Sequence, residues 1–200
     1  MGRKEYSAGM VKFSFWFAEF RKVVQLRGSG KTWPEIKAMA LAENLFAAPA
    51  QARALQIFST VSTRVKCLPP SFHALFEQSD ISTQKTIALV AVMQSDSLFF
   101  DFMYEVYREK LILGANELAD SDFAIFFRDK QLQSEKVAKW QDYTLLRLGR
   151  CYRTLLMEAG MTDRASGTRK ILKPILDKPL EDLLKAQGMD NVRRALTGVR

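Results

Sequence analysis

Apolar side chains recur at three- and four-residue spacing along most of this chain, the period of a helix packed on one face. Phe13, Trp16, Phe17, Phe20, Val23 and Val24 predict a helix over residues 10–27, closed by Gly28-Ser29-Gly30. Thr32-Trp33-Pro34-Glu35 has the order of a capping box with Pro early in the next helix. That helix carries Ile36, Met39 and Ala40 to about Leu45 or Phe46, and Ala47-Ala48-Pro49 breaks it. Residues 50–66 put Ala54, Ile57, Phe58, Val61 and Val65 on one stripe, and Pro69-Pro70 stops the run. Further helices are predicted around 72–76, 82–93 and 97–113, the last ended by Gly114. Asp120-Ser121-Asp122 caps another, which bears Phe123, Phe126 and Phe127. Residues 142–159 are the cleanest amphipathic stretch, followed by Gly160 where a left-handed cap belongs. The segment 169–176 is short, apolar and broken by Pro, so it reads as extended or as a small hairpin. Helices from Pro179 to Gln187 and from Asp190 to Leu196 complete the pattern. The fold class is all-α, a multi-helix bundle with one small extended segment. The expected division is a basic helical subdomain over 1–68 and a second helical subdomain over 69–200.

The longest unbroken apolar run, Ile87 to Met93, falls well short of the roughly 20 residues that span a bilayer. The opening residues Met1 to Ala8 lack the apolar core of a secretory signal. Cys67 and Cys151 stand far apart with no Cys or His at ligand spacing, so no metal site is expected and both thiols should be reduced and partly buried. The chain is basic, with 30 Lys+Arg against 22 Asp+Glu. That excess is segregated: residues 1–66 hold 11 basic and 4 acidic side chains, residues 67–133 hold 5 and 10, and residues 134–200 hold 14 and 8. Two basic ends flank an acidic middle, which points to an anionic partner more than to solubility alone.

Gly30-Lys31-Thr32 imitates the end of a phosphate-binding loop. The motif needs a Gly five positions before Gly30, where Gln25 stands, and a strand before the loop, where a helix is predicted. The segment therefore reads as an inter-helix turn, although Lys31 can still meet a nucleic-acid phosphate. Across residues 142–159, Leu145, Leu148, Tyr152, Leu155, Leu156 and Ala159 centre on one side, and Arg147, Arg150 and Arg153 on the other. Three like charges in a row repel, and a polyanion would relieve them; a solvated basic face has the same pattern. Arg164, Arg169, Lys170 and Lys173 extend the charge. The helices around 32–46 and 50–66 have the lengths of a helix-turn-helix, with Arg53, Gln56, Thr60 and Thr63 off the apolar stripe, but any bundle contains such pairs. Lys31, Lys37 and Arg53 are the N-terminal candidates. Asp101, Glu105 and Glu109 fall on one helical face and do not converge as a nuclease centre requires; they read as a solvated or partner-docking face. Nothing positions His73, so no catalytic set and no cofactor is expected.

Several stretches carry a resemblance. Tyr6-Ser7-Ala8-Gly9, Trp33-Pro34-Glu35-Ile36, Glu43-Asn44-Leu45, the helix from Glu105 to Gly114, Asp120-Ser121-Asp122-Phe123 with Phe126-Phe127, and Trp140 leading into 155–160 resemble the BrxA family in order and spacing. BrxA is a small component of BREX (bacteriophage exclusion) phage-defence systems. The resemblance covers most of residues 6–160 and is looser beyond Gly160. It implies a cytoplasmic, mostly helical, non-enzymatic protein that binds double-stranded DNA beside other BREX components, with no membrane and no small-molecule substrate. The family likeness assigns no contact residues. Charge and helical geometry nominate Arg147, Arg150, Arg153, Arg164, Arg169, Lys170, Lys173, Lys31, Lys37 and Arg53, for electrostatic and weakly sequence-specific binding. The alternatives are an assembly scaffold that binds proteins and a helical RNA-binding protein.

Overall fold

The structure is a computed structural model and describes residues 5–199; the opening Met1 to Lys4 lies outside them. Among the described residues the fold is all-α apart from a two-residue ladder and an isolated Thr162–Ile171 bridge. The chain divides into two compact units: an inserted unit, Trp16–Ser95, and a main unit made of the residues up to Phe15 together with those from Asp96 onward. The expected division at 68/69 falls inside the inserted unit.

The inserted unit holds α1 (Phe17–Gly28), α2 (Trp33–Ala42), α3 (Gln51–Lys66), α4 (Pro70–Gln78) and α5 (Ile81–Ser95). Residues 87–93 of α5 are buried on every side, as a helix apolar all round must be. Phe20 meets Phe76 edge-on at 5.6 Å, which ties α1 to α4. The helix expected over 10–27 begins at Phe17 instead. Trp16 sits at φ +51 and breaks the aromatic run, and a 3-10 turn occupies Gly9–Lys12. Thr32 caps α2 as expected: its backbone N–H donates to Glu35 Oε2 at 2.7 Å, and the Glu35 N–H donates to Thr32 Oγ1 at 3.4 Å. Between α2 and α3, Asn44 takes φ +48 and clamps Ala48, accepting from its N–H at 2.8 Å and donating to its carbonyl at 3.0 Å.

The main unit holds α6 (Ser97–Phe102), a wider π-type turn (Met103–Tyr107), α7 (Arg108–Ile112), β1 (Glu117–Leu118), α8 (Asp120–Gln133), α9 (Glu135–Ala138), α10 (Asp142–Glu158), β2 (Arg169–Lys170), α11 (Lys178–Ala186) and α12 (Asp190–Thr197). Its core is aromatic: Phe102 stacks on Phe123 at 4.6 Å and meets Tyr152 at 5.5 Å, and Phe127 lies 5.5 Å from Tyr152. The extended stretch expected near 169–176 is not a hairpin. β2 pairs antiparallel with β1, Glu117 against Lys170 and Leu118 against Arg169, so its partner lies about fifty residues earlier. The buried Tyr107 hydroxyl holds the same stretch, donating to the Leu172 carbonyl at 2.9 Å.

Candidate nucleic-acid interface

α10 takes its geometry from its stripe. Leu145, Leu148, Tyr152, Leu155 and Leu156 are buried on one side, and Gly160 follows at φ +79. The other side then faces water, and it carries the three arginines. Arg147 is exposed and donates to the Val11 carbonyl at 3.0 Å while its guanidinium lies 5.8 Å from the Tyr143 ring. Arg150 is exposed and has no hydrogen bond or ion pair among the described residues. Arg153 is different: its side chain is only 19% exposed, and it reaches Asp120 Oδ1 at 3.4 Å and lies over Phe123 at 5.6 Å. Burial pulls its pKa down, opposed by the Asp120 charge.

The tail cations do not form one exposed cluster. Arg169 is fully buried; it donates to the Leu118 carbonyl at 3.0 Å, to the Ala165 carbonyl at 3.3 Å and to Asp120 Oδ1. The surface cation expected there is instead an internal tie. Arg164 is exposed but pairs with its neighbour Asp163 at 3.0 Å. Asp163 also accepts from the Lys170 backbone N–H at 2.9 Å, which leaves the Lys170 side chain in solvent. Lys173 is exposed.

The inserted unit distributes its candidates in the same uneven way. Lys37 is exposed on α2, and Lys31 is exposed with Glu35 at 3.7 Å. Arg53 is half-buried: it lies 4.9 Å over the Trp16 ring and donates to Gln56 Oε1 at 2.7 Å. Two of the expected reading side chains of α3 are therefore bound to each other. Residues 43–50, eight residues, connect α2 and α3, longer than the three- or four-residue turn of a helix-turn-helix. Sequence reading missed a basic and aromatic cluster at the other end of these helices. Arg27 and Lys66 lie 4.9 and 4.6 Å from the centre of the Trp33 ring, and Lys37 is one turn along α2 from Trp33. Trp33 had the right residue type, but only the tertiary fold brings the ends of α1 and α3 to it.

The acidic face of residues 101–109 is solvated only in part: Glu105 and Glu109 are exposed, Asp101 is not. Asp101 is buried, and Lys130, itself buried, donates to Asp101 Oδ2 at 3.1 Å and to Glu105 Oε1 at 2.6 Å. The Tyr6 hydroxyl donates to Asp101 Oδ2 at 2.5 Å. Burial alone would lower the Lys130 pKa, but the bonds from Glu105 and Asp101 outweigh it and the net shift is upward. Glu109 pairs with Arg108 at 2.7 Å. The cap expected from Asp120 sits one residue earlier: Ala119 is the N-cap, its N–H donates to Asp122 Oδ2 at 2.8 Å, and Asp120 is left for the arginines. Hydrogen-bonding to Arg169 is the main cause holding the Asp120 carboxyl below its ordinary value. His73 Nε2 lies 3.1 Å from the Val65 carbonyl. Cys67 and Cys151 are unbridged and half-buried, and burial raises the Cys151 thiol. Among the described residues no group of three or more His, Cys, Asp and Glu side chains is placed to hold a metal ion, and no single helix is long and apolar enough to cross a membrane.

A family model described as BrxA matches residues 4–188. A protein described as "BREX protein BrxA", from Bacillus cereus (strain H3081.97), is 40% identical over 172 residues, covering 86% of this chain and 86% of that one. A solved structure of an uncharacterized protein from Magnetospirillum magneticum superposes with a TM-score of 0.82 at 16% identity, over 98% of this chain and 100% of the other. At that identity the likeness speaks for the fold alone.

Proposed function

The chain belongs to the BrxA family, and on that premise we propose that it serves a BREX phage-defence system as a non-enzymatic accessory protein that binds double-stranded DNA. The observation that carries this reading is the solvent face of α10. Arg147 and Arg150 stand one turn apart, both exposed, opposite a fully packed stripe, and Arg150 has no carboxylate to neutralise it. Cations held this way gain most from phosphates, because binding releases condensed counterions. Lys170 and Lys173 in the main unit, and Lys31 and Lys37 in the inserted unit, are the next contributors; Arg153, Arg169 and Arg53 serve the fold first. Contacts of this kind position a protein on a duplex without reading bases, so recognition is electrostatic and weakly sequence-specific.

The carboxylates that a hydrolytic centre would use are engaged in structure, Asp101 and Glu105 by Lys130 and Asp120 by Arg169. This supports a binding role without chemistry; the setting we propose for it is the cytoplasm, beside other BREX components. A competition experiment tests the choice of polyanion. Labelled random duplex DNA bound by the protein should be displaced by unlabelled duplex at lower concentration than by structured RNA. Preferential displacement by RNA would instead favour an RNA-binding role.

A further inference from the structure

Between α8 and α10 the main unit leaves an open groove of about 710 Å3. Its lining runs from Asp120 to Gln131 on one helix and from Asp142 to Arg153 on the other. Both walls are thus about three turns long, roughly 16 Å at 1.5 Å per residue. Phe127, Leu145 and Gly149 make an apolar floor. Leu146 stands beside it with 63% of its surface in water, and Tyr143, one turn earlier, is equally exposed.

Gly149 is the telling residue. It is buried in the interior of a 17-residue helix, where glycine is a poorer helix former than alanine. Packing does not demand it: a Cβ there would meet Arg153 Nη1 and Phe127 Cε2 at 3.7 Å, ordinary van der Waals distance. What the missing Cβ does is deepen the middle of the floor. The rim is basic. Arg128 from α8 and Arg150 from α10 are both exposed and have no partner among the described residues. Of the two rim carboxylates, Asp120 is already held by Arg169 and Arg153, which leaves Asp142 at the far end.

A duplex backbone can use the two arginines but has nothing to put against Phe127, Leu145 and Leu146. A long apolar trough with cationic edges suits the apolar face of a helix flanked by carboxylates. We infer that this groove docks an acidic amphipathic helix of a protein partner. Apolar residues at i, i+3 or i+4 and i+7 lie over Gly149 and against Phe127 and Leu146, and carboxylates meet Arg128 and Arg150. The inference goes beyond DNA binding but shares Arg150 with that reading, so a docked helix and a duplex would compete for this side chain.

The test places p-benzoylphenylalanine at position 146 of the full chain, co-expressed with the proteins encoded beside it. After irradiation, the cross-linked segment is mapped by mass spectrometry. The expected product is one protein segment of net negative charge with apolar residues at that helical spacing. Its yield should fall about tenfold in Gly149→Leu, which fills the floor where a helix would anchor. Gly149→Ala guards against a folding artefact, because it should raise the thermal midpoint while lowering the yield. Adducts only to nucleic acid or to a second copy of this chain, a segment without that charge and spacing, no adduct, or a yield unaffected by both substitutions would overturn the inference. Duplex binding by Gly149→Ala, measured in parallel, should be unchanged, so a failure of the DNA reading shows up separately.

Discussion

Arg153 reaches across from α10 to Asp120, the first residue of α8, at 3.4 Å, and the buried Arg169 of β2 holds the same carboxylate oxygen. One exposed acid is thus fixed by two guanidiniums that also cover Phe123. The arrangement ties the start of α8, the last turns of α10 and the β2 segment together. It also removes two cations from the surface that would otherwise face a polyanion.

Arg169→Met should therefore behave as a core mutation. It strands the Leu118 and Ala165 carbonyls and releases Asp120. The expected loss is about 3 kcal/mol, mostly from the unsatisfied carbonyls, because Asp120 is exposed and partly re-solvates. Urea unfolding measures it. Arg150→Gln, on the open face of α10, should stay within about 0.5 kcal/mol in the same assay.

The same carboxylate sets an acid dependence. Its folded pKa lies below the ordinary 3.8, chiefly through the Arg169 hydrogen bond. The stabilisation is fully present above 3.8 and is lost as pH falls through the lowered folded value. Urea midpoints followed from about pH 5 to about pH 2 should fall less steeply in Asp120→Asn than in the unaltered protein. Parallel curves would contradict the linkage.

Lys130 is a second internal cation. Lys130→Met leaves the buried Asp101 uncompensated and should cost about 3–5 kcal/mol. Tyr6→Phe removes one bond to the same carboxylate and should cost about 1 kcal/mol. Chemical denaturation checks both.

In the inserted unit, Asn44 does two things at once, adopting φ +48 and bonding both backbone groups of Ala48. Asn44→Ala loses the bonds and keeps the strained backbone, for about 2 kcal/mol. Asn44→Asp keeps the acceptor and should lose less; equal losses would mean that the bond from the Ala48 N–H contributes nothing.

Many local signals were legible, although the left-handed Trp16 before α1 and the Ala119 cap of α8 were not. The buried stripe of α10, the Thr32 cap and the left-handed Gly160 all follow from spacing within a few residues. Long-range pairings were not. β1 and β2 are two residues each, too short for any period, and Arg169 looks like a surface cation until Leu118 and Asp120 are brought to it. Asp101 likewise reads as solvated until Lys130 covers it. Arg128 was hidden by averaging: it lies in the acidic middle, where the local count is negative, yet it stands exposed on the groove rim. The ten nominated cations therefore divide by burial, which charge counting does not report.

Exposed cations of α10 neutralise phosphates in the proposed complex, and the salt dependence of duplex binding measures that most directly. With about six phosphates contacted, log K should fall linearly with log salt with a slope near −5 between roughly 50 and 200 mM. Replacing both Arg147 and Arg150 by Gln should make that slope shallower by about 2. Absent binding, binding insensitive to salt, or an unchanged slope in the double variant would contradict it.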